Sequence, residues 1–109
     1  AYAEYKTLSE SRDEKFKAQA LYGMGLYNQR KKRYRQAVLL FMEAAWDYPD
    51  QKEIASQSYL GAGECYAAQG KKREAIETYA AIIEEKLPGA EEAGKRIKSL
   101  KGDSRYRYE

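Results

Sequence analysis

The sequence contains no histidine and only one cysteine among 109 residues. Without histidine, Ser-His-Asp triads, histidine-based acid–base catalysis and histidine metal sites are excluded. Cys65 has no second cysteine with which to form an internal disulfide or a CxxC site. No combination of acid, base and nucleophile is visible in the rest of the chain. We therefore expect a protein that is not an enzyme and that holds no cofactor or metal.

Proline and long apolar runs are also scarce. The chain has two prolines, and no apolar stretch approaches the roughly 18 residues of a membrane-spanning helix. No signal peptide is visible either. The remainder is 43% hydrophobic and 34% charged, with many Ala, Glu, Lys, Leu and Gln residues, which favour helices. The composition predicts one all-α domain.

Small and aromatic residues recur at a displacement of 38 residues. The matching pairs are Gly23 and Gly61, Gly25 and Gly63, Ala37 and Ala75, Phe41 and Tyr79, and Ala44 and Ile82. Pro49 recurs one residue late, as Pro88. Residues 1–8 fit a similar frame, which predicts that the chain opens inside the second helix of an earlier unit.

Helix start and stop signals divide the chain into five helices. We expect these helices over residues 12–30, 34–48, 52–69, 72–86 and 90–101. Ser11 and Glu14 form a candidate capping box at the first start, and Gly70 suits the left-handed position after the third helix. The units are then the end of a preceding repeat helix (1–10), two repeats (11–50 and 51–88), a capping helix (89–101) and a flexible tail (102–109).

The small residues have a predicted packing role. Two antiparallel helices approach closely only where side chains are small, and glycine inside a helix otherwise costs about 0.5 to 1 kcal/mol. We expect glycines on the first helices to oppose alanines on the second, with large rings filling the space below. The expected groups are Gly25 with Ala37 and Phe41, and Gly63 with Ala75 and Tyr79.

These residues resemble the tetratricopeptide repeat. Its pattern of a first helix with Leu-Gly and an aromatic, then Ala, an aromatic and Pro, is met by Met24, Gly25, Ala37, Phe41 and Pro49, and again by Ala62, Gly63, Tyr66, Ala75, Tyr79 and Pro88. Leu21 and Tyr59 replace the usual Trp, and Asn28 stands where the first unit should have its aromatic. The spacing exceeds the usual 34 residues and is similar to the looser repeats of bacterial cell-envelope proteins of the Tol-Pal coordinator type. That resemblance implies the periplasm or cell envelope; without it the cytoplasm is expected.

The resemblance implies an antiparallel helix-pair solenoid of about five helices plus an N-terminal half unit. Its first helices line a concave groove that binds a protein or peptide segment. The expected groove residues are Gln19, Tyr22, Leu26, Gln29, Arg30, Gln57, Leu60 and Glu64. The set lacks the Lys and Asn residues with which chaperone-binding relatives hold a C-terminal carboxylate, so that ligand is not favoured. The alternative is that these residues only contact neighbouring helices.

An apolar stripe on the second helix of the first unit is a second candidate surface. Relative to Ala37 and Phe41, the side chains of Leu39, Met42 and Trp46 are expected on the convex side. The second unit has Glu77, Ala80 and Glu84 at the matching positions. Exposed Leu, Met and Trp are typical of interfaces, which predicts a protein partner or self-association. The alternative is that the N-terminal segment covers the stripe.

Basic residues cluster at the two turns between first and second helices, and Lys and Arg outnumber Asp and Glu by 20 to 17. The expected basic edge consists of Arg30, Lys31, Lys32, Arg33, Arg35, Lys71, Lys72 and Arg73. It predicts binding to an acidic partner, nucleic acid or an anionic membrane. The alternative is that these charges complement helix dipoles and maintain solubility.

Two further features favour structural roles. Cys65 lies inside a first helix with no base beside it in sequence, so we interpret it as a packing residue rather than a reactive thiol. The pairs Gly23-x-Gly25 and Gly61-x-Gly63 do not complete a GxGxxG motif and do not follow a strand. We therefore exclude a nucleotide-binding loop.

Overall fold

The computed structural model describes the backbone of residues 2–102 and the side chains of residues 12–102. Its helices are α1 (Tyr2–Arg30), α2 (Tyr34–Asp47), α3 (Lys52–Ala68), α4 (Lys72–Glu84) and α5 (Ala90–Lys101). Each helix packs on the next in sequence, and α1 also contacts α3. Within residues 2–102 no strand is present. The all-α prediction is confirmed, and the architecture is a solenoid of helical hairpins.

Helix α1 differs from its prediction. It runs without a break from Tyr2 to Arg30, so the predicted start at Arg12 is wrong. No glycine or proline interrupts residues 2–22, and a Ser followed three residues later by Glu is compatible with a helix interior as well as with a cap. The other four helices begin as expected and end within two residues of their predicted ends. The assignment of residues 1–10 to a preceding repeat stays a prediction, and most of the expected tail (103–109) lies outside the described residues.

The turns after α1 and α3 have the same backbone structure. Lys32 and Gly70 adopt positive φ values of 62° and 78°. The next residue in each turn, Arg33 or Lys71, donates its N–H back to a helix carbonyl, that of Asn28 at 2.8 Å or of Tyr66 at 2.9 Å. These are Schellman motifs, and the predicted role of Gly70 is confirmed.

The core is built around the rings of Phe41 and Tyr79. A Cβ atom added to Gly25 would lie 2.6 Å from Phe41, and one added to Gly61 would lie 2.7 Å from the same ring. A Cβ atom on Gly63 would collide with Tyr79. Because these glycines have no side chain, the rings of Phe41 and Tyr79 pack directly against them. The expectation that Gly25 and Gly63 chiefly oppose alanines is wrong, because the rings lie beside the glycines and not below them.

Two apolar clusters follow from this packing. The first consists of Ala37, Val38, Phe41, Ala62 and Cys65. The second consists of Ala45, Ala55, Tyr59, Ala75, Tyr79, Ile82, Leu87 and Ala93. The buried Ala93 lies 38 residues after the buried Ala55, so α5 occupies the place of a first helix in a third unit.

Candidate functional site

A groove lies between the first helices α1 and α3, with α5 at its far side. It encloses a cleft of about 220 Å³ that is lined by Tyr22, Leu26, Gln29, Gln57, Leu60, Gly61, Glu64 and Arg96. Six of the eight predicted groove residues therefore lie together. Gln19 lies beside Gln57 in an adjoining cleft nearer the start of α3. Arg30 is exposed at the end of α1 and does not line this cleft.

A polar network fixes one side of the groove. Gln29 Nε2 donates to Glu64 Oε1 at 3.0 Å, and Arg96 Nη1 donates to Glu64 Oε2 at 2.5 Å. Arg96 Nε also donates to Glu92 Oε2 at 2.9 Å, and its guanidinium lies 5.8 Å from the centre of the Tyr79 ring. Burial by itself lowers the pKa of Arg96, but hydrogen bonds to the two glutamates outweigh it and raise that pKa. The groove therefore presents a carboxylate held by two donors.

Sequence reasoning missed Arg96. The residue lies on α5, which local sequence patterns identify only as a cap, and it contacts Glu64, 32 residues earlier in the chain. The signal that could have identified it is the 38-residue frame, because that frame places α5 as a third first helix. First helices line the groove, so a polar residue on α5 was a candidate lining residue.

The apolar part of the groove is supported from beneath. Leu26 and Tyr22 are half-buried and pack against the first core cluster. The Tyr22 ring lies 5.7 Å from the Phe41 ring. Burial, with a smaller effect of Glu64, raises the pKa of the Tyr22 hydroxyl above its ordinary value of 10, so the hydroxyl stays protonated to a higher pH than in a free tyrosine. The groove thus combines apolar surface with fixed polar groups, the combination typical of ligand clefts.

The convex stripe is only partly as predicted. Leu39 and Trp46 are exposed. Met42 is half-buried and packs against both core clusters. The prediction that all three side chains lie on the outer side of the helix is therefore wrong for Met42. This residue lies toward the gap between α2 and α4 and lines a cleft there with Trp46.

The basic edge is also partly as predicted. Arg30, Lys31, Lys32, Arg33, Arg35, Lys71 and Arg73 are exposed. Lys72 is buried and interacts within the protein, so its inclusion in an exposed edge is wrong. Arg35 and Lys71 line one cleft of about 200 Å³, although they come from different units.

Cys65 is fully buried in the first core cluster. Burial, followed by the nearby Glu64 charge, raises the pKa of its thiol to about 11. A protonated, buried thiol is a poor nucleophile, which supports the interpretation of Cys65 as a packing residue. Within the described part of the chain, no cluster of three potential metal ligands occurs, and none of the helices has the length and apolarity to span a bilayer.

Comparison with known proteins agrees with the repeat frame. A sequence model of the tetratricopeptide repeat family matches residues 19–50 and 57–85, more than half of the chain. No curated protein and no solved structure matches this chain. The first matched segment covers the C-terminal part of α1 and all of α2, and the second covers most of α3 and all of α4. The chain therefore belongs to the tetratricopeptide repeat family.

Proposed function

We propose that this chain is a non-enzymatic module that binds a segment of another protein in the groove between α1, α3 and α5. Tetratricopeptide repeats generally mediate protein–protein interactions. The observation that carries the proposal is the juxtaposition of apolar Leu26 and Leu60 with the immobilised Glu64 carboxylate in one cleft. Because these groups are fixed before binding, little conformational entropy is lost in ordering them when a partner binds.

The groove chemistry defines what kind of segment fits. An apolar side chain of the partner is expected to pack between Leu26 and Leu60. The amide of Gln57 is available to backbone groups on one side. Glu64 and Arg96 already satisfy each other, so the partner needs no full charge at that position. We therefore expect a segment with one apolar anchor flanked by polar residues.

The test is selection of binding peptides from a random library, followed by measurement against two matched variants. Leu60→Glu places a charge in the groove, and Leu39→Glu places the same charge on the convex side. Peptides that use the groove should lose at least about tenfold in affinity with Leu60→Glu and be unchanged with Leu39→Glu. Circular dichroism checks that both variants remain folded. If none of the selected peptides loses affinity for Leu60→Glu, the groove is ruled out.

The second candidate is an electrostatic binder of nucleic acid or anionic membrane. The observation that favours it is that Arg35 and Lys71 come together in one cleft at an edge of exposed basic residues. Binding to a random oligonucleotide or to anionic vesicles should then weaken steeply with salt and be lost near about 0.5 M. The double variant Arg35→Glu/Lys71→Glu should abolish it. Binding that survives such salt would exclude this function.

Two finer predictions also belong to this proposal. Self-association through the convex stripe is the alternative to a separate protein partner there, and it would appear as a concentration-dependent mass in sedimentation. Location in the bacterial cell envelope rests only on the spacing resemblance to the Tol-Pal coordinator type, and it stays a prediction.

A further inference from the structure

The convex side carries a second cleft, between α2 and α4. One part of it encloses about 310 Å³ and the other about 200 Å³. Tyr66 of α3 lines both clefts, so they adjoin over α3, and we call the two together the trough. Along α2 the lining extends from Arg35 to Trp46, which at 1.5 Å per residue is about 16 Å. The trough is long enough for about three turns of a helix.

From Val38 to Trp46 the α2 wall of the trough is apolar, and Arg35 lies at its charged start. Leu39 is 71% exposed and Trp46 is 65% exposed, and Met42 lies between them. Their spacing of three and four residues is that of a helical stripe. The fold does not require such residues, because the matching positions on α4 are Glu77, Ala80 and Glu84. Exposed Trp and Leu that packing does not explain are characteristic of an interface.

The α4 wall is acidic. Glu74 and Glu77 of α4 line it, together with Glu85, which directly follows the last residue of α4. Glu77 pairs with Arg73 at 3.6 Å, but both side chains are largely exposed, and such a pair is worth little. Glu85 accepts a hydrogen bond from the Tyr59 hydroxyl at 2.8 Å and still has acceptor capacity on its carboxylate. Three carboxylates thus face an apolar wall across one trough.

We propose that this trough binds an amphipathic helix of a partner protein, about three turns long, with a basic flank. Its apolar residues would cover Leu39, Met42 and Trp46, and its lysines or arginines would lie against the α4 carboxylates. Charge complementarity in the larger part of the trough selects this occupant, because an acidic helix would meet like charges there. The basic flank of the partner lies against these carboxylates and not beside Arg35 and Lys71, which line the smaller part. The site is separate from the concave groove, so each can fail in a test without the other.

Trp46 makes the proposal directly measurable, because it is the only tryptophan in the chain. The probe is a peptide of about 14 residues, with leucines on one helical face and lysines on the other. A second peptide with glutamate in place of each lysine is the matched control. The protein carries a net charge of +3, so non-specific attraction favours the glutamate peptide and works against the proposal. We expect only the lysine peptide to bind with a blue shift of the Trp46 emission.

Variants locate the interaction. Glu74→Lys/Glu77→Lys should weaken the lysine peptide at least about tenfold and strengthen the glutamate peptide. Leu39→Ser should weaken the lysine peptide while circular dichroism stays unchanged, and Leu60→Glu in the concave groove should have no effect. Equal binding of the two peptides, binding without a shift of Trp46 emission, or no binding at all would overturn the proposal. So would Trp46 emission that depends on protein concentration without peptide, because a second copy would then be the occupant.

Discussion

The first helices α1 and α3 share a sequence frame but differ in what covers them. Gly61 on α3 holds the ring of Phe41 from the preceding helix, whereas its counterpart Gly23 on α1 has no atom within 4 Å of an added Cβ position among the described residues. Ala62 is fully buried, and its counterpart Met24 is 51% exposed. This face is a packing surface on α3, whereas on α1 no described residue packs against it.

The contrast extends to residue size. Cys65 on α3 is fully buried, and its counterpart Tyr27 on α1 is 54% exposed. Where α2 covers the face, the side chains are small because a ring must fit beside them. Where no described helix covers it, larger side chains are accommodated. A repeat frame therefore predicts which direction a residue faces, while its burial depends on the neighbouring helix.

The largest expected effect follows from removing the Phe41 ring, which packs against both α1 and α3. Phe41→Ala should lower the free energy of unfolding by roughly 3 to 5 kcal/mol, because the ring is fully buried between α1 and α3. Met24→Ala removes a large side chain from the uncovered face and should cost less than about 0.5 kcal/mol. Urea unfolding followed by circular dichroism measures both. Similar losses would show that the face of α1 is covered in solution.

The glycines provide the next contrast. Gly63→Ala should destabilise the protein by about 1 to 3 kcal/mol, because the added methyl group collides with the Tyr79 ring. Gly23→Ala should stabilise it by about 0.5 to 1 kcal/mol through helix propensity, since nothing described lies nearby. The midpoint of thermal unfolding should move in opposite directions for the two variants. A fall for both would mean that Gly23 is packed against something.

The turns after α1 and α3, each with one residue at positive φ, give a smaller expected change in the free energy of unfolding. Lys32 and Gly70 occupy matching positions with positive φ, and a residue with a side chain pays about 1 kcal/mol there. Lys32→Gly should therefore stabilise the protein by about that amount, and Gly70→Ala should destabilise it similarly. Chemical unfolding of both variants tests this. A destabilising Lys32→Gly would show that the lysine side chain makes a compensating contact.

The smallest expected effect is on the pH dependence of stability, and it is absent near neutral pH. Burial, followed by the hydrogen bond to Glu85, raises the pKa of Tyr59 from 10 to about 12, whereas the matching Leu21 cannot ionise. The unfolded chain thus releases this proton first, so the stability that Tyr59 contributes is complete below pH 10 and is lost as pH rises toward 12. Between pH 10 and 12, the free energy of unfolding should fall less steeply with pH for Tyr59→Phe than for the wild type. Some slope should remain, because burial also raises the pKa values of Tyr22 and Tyr79. Equal slopes for variant and wild type would contradict the assignment.

The sequence was most informative where structure depends on local chemistry. The spacing of glycines, aromatics and prolines predicted the hairpins, and Gly70 predicted a left-handed turn, because both depend on neighbouring residues. The Ser11–Glu14 pair misled because it is compatible with a helix start and a helix interior. Nothing in the sequence required a break there, and α1 continues through it.

The candidate sites were less predictable because they depend on distant residues. Position relative to Ala37 and Phe41 placed Met42 with Leu39, but the burial of Met42 depends on the gap between α2 and α4. Arg96 enters the groove from a helix that local patterns identify only as a cap. Lys72 belongs to a run of basic residues that appears uniform in sequence, although packing buries it. In each case the missing information was the position of another helix.

Phe41 also has a consequence for how the chain unfolds. Its ring lies against Gly25 of its own hairpin and Gly61 of the next. In a repeat protein, stability is divided between each unit and the interfaces that join adjacent units. A ring shared in this way contributes to both quantities at once, so neither hairpin can open without exposing it. The two units are thereby coupled, and we expect them to melt in one cooperative transition.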